Sequence, residues 1–320
     1  MVRSMIRLLV IVALGTGTPR SSLASDKPIL SEPVHFSRGC AVSADSKWLF
    51  VIESRKDEVL RWSLEDDSKP SSMKIADGMR TYLLGPCKNG NSILAASHGG
   101  GQNVVYRQNF DKRTGDLLLT CKGTIRSFLR EEAVAVTMHD DPTVVTCIDL
   151  RSGEKKNFAR MIGKRLEQVD FSPDGSLVLA RNERYLMTVW DYPSGKERWQ
   201  AKADQATIWI RFFPDSKRLY SNAGYVWDAS TGKQVGQRLP ANQPIFHPDG
   251  KHVAYQEPDR DKDAWVFQSI ETRDVVGRIR RDPNVLEWAP RTAIFSPDGR
   301  FLVALATNSV NVWKTPELPK

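Results

Sequence analysis

The chain has 320 residues, with 46 Lys and Arg against 38 Asp and Glu, and a formal net charge of +8. Charges of both signs alternate along it, the pattern of a solvated surface and not of a phosphate-binding stripe, so no nucleic-acid partner is expected. Length alone allows one domain or two.

Residues 1–24 read as a signal peptide. Arg3 and Arg7 make a basic start, Leu8 to Leu14 is an uninterrupted apolar run, and Ser22-Leu23-Ala24 places small residues before a cleavage point. The run is too short to span a bilayer, which takes about 20 apolar residues. No Cys follows it to carry a lipid. An exported soluble product, periplasmic or secreted and without a membrane span, is the expectation; a leader-like start on a cytosolic protein is the alternative. Loss of Arg3, Arg7 and Arg20 takes the net charge to about +5.

Residues 25–320 read as a single domain. Ile29 to Phe36 is an extended segment ahead of the first repeat. Then Trp62, Tyr106, Ile148, Trp190, Trp227, Phe267 and Trp313 recur at intervals of 37 to 46 residues, close to the length of one four-stranded propeller blade. About twenty positions before each anchor sits a turn: Ser43-Ala44-Asp45-Ser46, Cys87-Lys88-Asn89-Gly90, Ser172-Pro173-Asp174-Gly175, Phe213-Pro214-Asp215-Ser216, His247-Pro248-Asp249-Gly250 and Ser296-Pro297-Asp298-Gly299. Pro presets the first turn position and Gly accepts positive φ. The third repeat, at Leu129-Arg130-Glu131-Glu132, lacks this chemistry.

The fourth repeat gives the internal layout. A strand from Leu166 stops at Pro173-Asp174-Gly175; Ser176 to Ala180 and Leu186 to Trp190 are apolar, β-branched runs; Lys196 to Lys202 is a more polar outer strand. Four such strands bury their faces only by stacking blade on blade. The last repeat ends near Trp313, with two prolines in the tail that cannot donate to a ladder. Pairing Ile29–Phe36 with that repeat would supply its missing outer strand and remove an open edge. The expected fold is all-β: a seven-bladed β-propeller of four-stranded antiparallel blades, closed by an N-terminal strand that completes the last blade.

Phe171-Ser172-Pro173-Asp174-Gly175 followed by Val189-Trp190-Asp191, Tyr225-Val226-Trp227-Asp228-Ala229-Ser230-Thr231-Gly232-Lys233, and Phe295-Ser296-Pro297-Asp298-Gly299 followed by Val312-Trp313 resemble WD40 repeats. The resemblance spans about residues 36 to 314. The chain departs from that family in having no Gly-His pair opening its repeats and no Asp in the turn between second and third strands, where Arg184, Ser221 and Thr307 fall. In WD40-like propellers the loops joining second to third strands share a face with the inter-blade connections, and the resemblance implies that this face docks partners. It would carry Lys56, His98, His139, Arg184, Tyr185, Asn222, Arg260 and Asn308, with Trp288 as an aromatic anchor in the connection from Arg281 to Arg291.

Catalytic signatures are absent: there is no Gly-x-Ser-x-Gly, His-Glu-x-x-His, Cys-x-x-Cys or phosphate loop. His98 beside three glycines lacks a nucleophile elbow. His139-Asp140-Asp141 has the ligand types of a metal site, but adjacent residues seldom aim at one ion. Asp259, Asp261 and Asp263 alternate like half of a calcium loop without its glycine and bidentate Glu. No metal or cofactor is assigned. Cys40, Cys87, Cys121 and Cys147 form no facing pair in the repeat register, and buried thiols are the expected state. The functional expectation is an exported, non-catalytic platform for a protein or peptide, monomeric or recruited into a complex. A secreted propeller hydrolase or lyase, with titratable groups converging at the channel mouth, is the alternative, and a quinoprotein a third reading.

Overall fold

In the computed structural model, residues 27–319 are described apart from 35–38, 67, 75–78, 88–89, 131, 162–164, 240–243, 258–263, 281, 283–284 and 286–291. Seven antiparallel sheets follow one another along the chain, and no helix occurs among the described residues. The fourth sheet is typical, with Leu166–Phe171, Leu177–Asn182, Leu186–Asp191 and Glu197–Lys202 paired in sequence order. First strands touch across blade boundaries, as Leu166–Phe171 touches both Gly123–Leu129 and Ile210–Phe212, so they line the axis of a ring.

Every anchor falls in the third strand of its blade, and all but the half-buried Tyr106 are buried. A separate apolar cluster fills each of the seven blade boundaries. Val178, Ala180 and Trp190 pack on Val145, Cys147 and Phe158 of blade 3, while Leu179 and Val189 on the opposite face meet Ile210, Leu219 and Trp227 of blade 5. Both faces of each middle strand are therefore dry. That is why its sequence is a continuous apolar run instead of an alternating one.

The ring closes as the sequence leads one to expect. Leu30–Pro33 pairs antiparallel with Ser309–Lys314, in the register Leu30 with Val312 and Pro33 with Ser309. Val34 beyond it is buried between blades 7 and 1. In the fifth blade the outer position is held differently. Ile210–Phe212, Arg218–Ser221 and Val226–Asp228 form three full strands, and a single bridge from Trp227 to Gln234 stands in place of a fourth.

In blades 1, 4, 5, 6 and 7 the first turn is built around an aspartate. Ser43, Ser172 and Ser296 donate Oγ–H to Asp45, Asp174 and Asp298 at 2.5, 2.6 and 2.7 Å. The same hydroxyls accept the amides of Trp48, Leu177 and Phe301 at 2.9–3.0 Å. Where the left-handed turn position is Ser and not Gly, as at Ser46 and Ser216 (φ 60° in each), the hydroxyl reaches the preceding blade and accepts the amide of Asp298 or Asp174 at 3.1 Å. The four cysteines are free thiols. Burial pushes Cys40 and Cys147 up to about 12.

Candidate functional site

The described connections between second and third strands leave the ring on one face, which puts their expected loop residues on a common rim. Lys56, His98, His139, Arg184 and Asn308 are exposed there, and Tyr185 is half-buried. Arg260 and Trp288 lie outside the described residues. His139 and its neighbouring carboxylates do not converge. Asp141 turns away to Thr143 Oγ1 (2.6 Å) and Arg160 (2.7 Å), and the Thr143 hydrogen bonds hold its carboxyl below the usual range. Neither His98 nor His139 forms an ion pair with a carboxylate among the described residues.

Asn222, half-buried in its hairpin, is tied to the neighbouring inter-blade loop. Its Oδ1 accepts the amides of Ile208 (2.8 Å) and Trp209 (3.1 Å), and its Nδ2 donates to the Ala206 carbonyl (3.0 Å), so the amide is consumed in pinning the connection from blade 4 to blade 5. Arg181 pins the same loop from below. Its buried guanidinium donates to the Ile208 carbonyl (2.7 Å), to Glu167 Oε2 (3.0 Å) and to the Asn182 carbonyl (3.2 Å), and it lies 5.7 Å from the Tyr185 ring centroid. The result is an exposed apolar side chain on a fixed backbone: Ile208 is 68% exposed. Trp209 beside it stacks edge-on to Tyr220 at 5.4 Å, with the Arg211 guanidinium 5.5 Å from its centroid.

Below this patch, toward the axis, Asp170 sits on the first strand of blade 4. Burial pushes its carboxyl up to about 6, against the opposing charge of Arg211. Burial also drives the Tyr220 phenol to about 12. One carboxyl that titrates near neutrality, beside an arginine and a phenol that stays protonated, is half of an acid–base pair.

The opposite face carries the aspartate turns and the tail. There His247 stands where blades 1, 4 and 7 have serine. Its Nε2 donates to the Gly299 carbonyl of blade 7 (3.2 Å), and its Nδ1 lies 3.0 Å from Asp249 Oδ2. His252 Nδ1 lies 2.7 Å from the same oxygen. Burial acts to raise the Asp249 carboxyl, but hydrogen bonds from His252 and the Lys251 amide, with the nearby His247, bring it down to about 2. An open cleft of about 1660 Å³ adjoins this cluster between blades 5 and 6, lined by Val235, Leu239, His252, Arg273, Val275 and Leu318.

Sequence reasoning found neither the Ile208–Trp209 loop nor the His247–Asp249–His252 cluster. The signals were an Ile-Trp pair in a loop otherwise poor in large apolar residues, and a His-x-Asp-x-x-His spacing inside a turn already explained by its Pro-Asp-Gly.

Superposition on known structures bears on the architecture. A protein in a crystal structure of the mitotic checkpoint complex aligns with a TM-score of 0.66 over 99% of this chain and 100% of that one, at 15% identity. The fold is a seven-bladed β-propeller. No family model matches the sequence, and no curated protein matches it significantly. The WD40-like likeness therefore rests on blade count, closure and turn chemistry. The buried indole N–H of Trp62 has no partner among the described residues.

Proposed function

We propose that this WD40-like propeller is an exported, non-catalytic platform that docks a protein or peptide on the rim of blades 4 and 5. The observation that carries the reading is Ile208, an exposed branched apolar side chain whose loop is tied down by Asn222 and Arg181. Holding such a group in place before binding removes the ordering cost that a mobile loop would add on association. Trp209 follows it in the chain with Arg211 against its ring, Tyr185 lies by the Arg181 that holds the loop, and Arg184 is exposed in the hairpin beside them; aromatic residues and arginine are the types that dominate interface energy. The structure it resembles is of a protein in a multiprotein complex, which is consistent with such a role.

Export rests on Arg3, Arg7, the Leu8–Leu14 run and the Ser22-Leu23-Ala24 site; sequencing the mature N-terminus decides it, with Ser25 expected first. Docking is tested by affinity capture from the exported fraction with wild-type bait and an Arg184→Ala, Ile208→Asp bait. Both should unfold at the same temperature, and only the wild type should retain its partner. Equal recovery by both baits would move the interface elsewhere. A second reading, a hydrolase or lyase at the channel mouth, draws on Asp170 and its raised carboxyl. It requires turnover that disappears in Asp170→Asn.

A further inference from the structure

We propose that His247, Asp249 and His252 form a divalent-cation site for a zinc-class ion, on the turn-bearing face where blade 6 meets blade 7. One ligand atom from each residue lies within 4.8 Å of the others. Asp249 Oδ2 stands between the two imidazoles, 3.0 Å from Nδ1 of His247 and 2.7 Å from Nδ1 of His252. A tetrahedral shell with metal–ligand bonds of about 2.0–2.2 Å has edges of about 3.3–3.6 Å, so the three side chains need part by only a few tenths of an ångström to admit an ion. Two imidazoles and one carboxylate are ligands that suit zinc and its neighbours, with water completing the set.

The hydrogen bonding around the cluster resembles the outer support of a metal site. The Gly299 carbonyl can only accept, so His247 Nε2 carries a proton and, in the neutral imidazole, Nδ1 presents a lone pair. The Asp249 amide lies 3.3 Å from that Nδ1, a long contact that a bound ion would displace. A lone pair therefore faces a carboxylate oxygen at 3.0 Å, two acceptors that a cation between them would reconcile. Asp249 is itself fixed, because its Oδ1 takes the amides of Lys251 (2.8 Å) and His252 (3.1 Å), leaving Oδ2 for the imidazoles. Ring nitrogens and carboxylates oriented by backbone groups are what hold ligating side chains in register.

Comparison among the blades isolates what is special here. At the position of His247, blades 1, 4 and 7 use Ser43, Ser172 and Ser296 for the same turn without an imidazole. At the position of His252 they have Trp48, Leu177 and Phe301. The turn needs neither histidine; the pair adds metal chemistry to it. A recess of about 490 Å³, bordered by Lys251, Asp298, Thr315 and Leu318, gives an ion access to His247 and Asp249. Arg300 on the same border is engaged by Asp298, which offsets its charge.

The test is zinc titration of the tag-free full chain in competition with a chromogenic chelator, paired with the visible spectrum of the cobalt-loaded protein. One equivalent should bind. His247→Ser, which installs the residue of three other blades, and Asp249→Asn should each weaken binding by at least about 100-fold and abolish the cobalt ligand-field bands. Asp174→Asn, which alters the matching turn of blade 4 where no imidazole is present, should bind as the wild type does. Zinc should raise the unfolding temperature of the wild type and leave that of His247→Ser unchanged, since only a ligand bound to the folded state stabilises it. No bound equivalent, or equal binding by wild type and His247→Ser, would overturn the site.

Discussion

Ser31 Oγ donates to Asn311 Oδ1 at 2.7 Å, joining a residue from the start of the propeller to one 280 positions later. Asn311 is 1% exposed and lies on the third strand of blade 7, so the contact sits inside the closure sheet. Deleting residues 25–34 would bare that strand and the apolar surface around Val34, Val310 and Val312. The truncated chain should unfold cooperatively at a much lower temperature and self-associate through the open edge. Ser31→Ala alone should cost about 1 kcal/mol, the worth of a typical hydrogen bond. Thermal unfolding and size-exclusion chromatography read both.

The blade anchors set the next expectation. Trp190 and Trp227 are buried, at 3% and 6% exposure, in the clusters between blades. Truncating either to Ala should cost about 3–5 kcal/mol. Lys196 and Lys233, exposed on neighbouring turns, should tolerate Ala within about 0.5 kcal/mol. Urea denaturation of the four variants compares them directly.

Gly299 and Gly153 separate backbone strain from contact. Both have positive φ, 77° and 73°. A Cβ on Gly299 would lie 2.1 Å from His247 Nε2, whereas one on Gly153 would meet nothing within 4 Å. Gly153→Ala should therefore cost about 1–2 kcal/mol, the left-handed penalty alone. Gly299→Ala should cost distinctly more and displace the His247 ring, visible as a shifted imidazole resonance.

Asp170 makes stability depend on pH. Its folded value of about 6 lies above the ordinary 3.8, so folding favours the protonated carboxyl. That favourable contribution is complete below pH 3.8 and is lost as pH rises through 6. At pH 8 the half-buried carboxylate should cost of order 3 kcal/mol. Asp170→Asn should be more stable than wild type at pH 8 by that order, with the gap closing toward pH 4. Denaturant midpoints across this range measure it, and a gap that widened on acidification would reverse the assignment.

The legible parts of this molecule were those in which local chemistry repeats. Pro-Asp-Gly turns and third-strand aromatics fix blade number and register because each blade buries the same positions. What escaped notice depends on which blades become neighbours. Asn222 reads as an exposed hairpin tip, yet the fold sets it against the loop carrying Ile208, whose amides it accepts. Arg181 reads as part of a charged turn and is buried beneath that loop. In blade 5 a strong Trp-Asp third strand gave no hint that Gln234 alone would bridge where a full fourth strand was expected. His247 hid inside a turn motif, because its meaning depends on His252 and on Gly299 of the next blade.

The central claim is that the rim around Ile208 docks a protein. Site-specific photo-crosslinking in the producing cells tests it most directly, with the crosslinker placed singly at positions 56, 184, 208 and 308 on the loop-bearing face and at 153 and 232 on the opposite one. The account predicts one recurrent protein adduct, strongest from 184 and 208 and absent from 153 and 232. Adducts from 153 or 232 alone, or none from 184 and 208 in a chain that turns over a substrate, would contradict it.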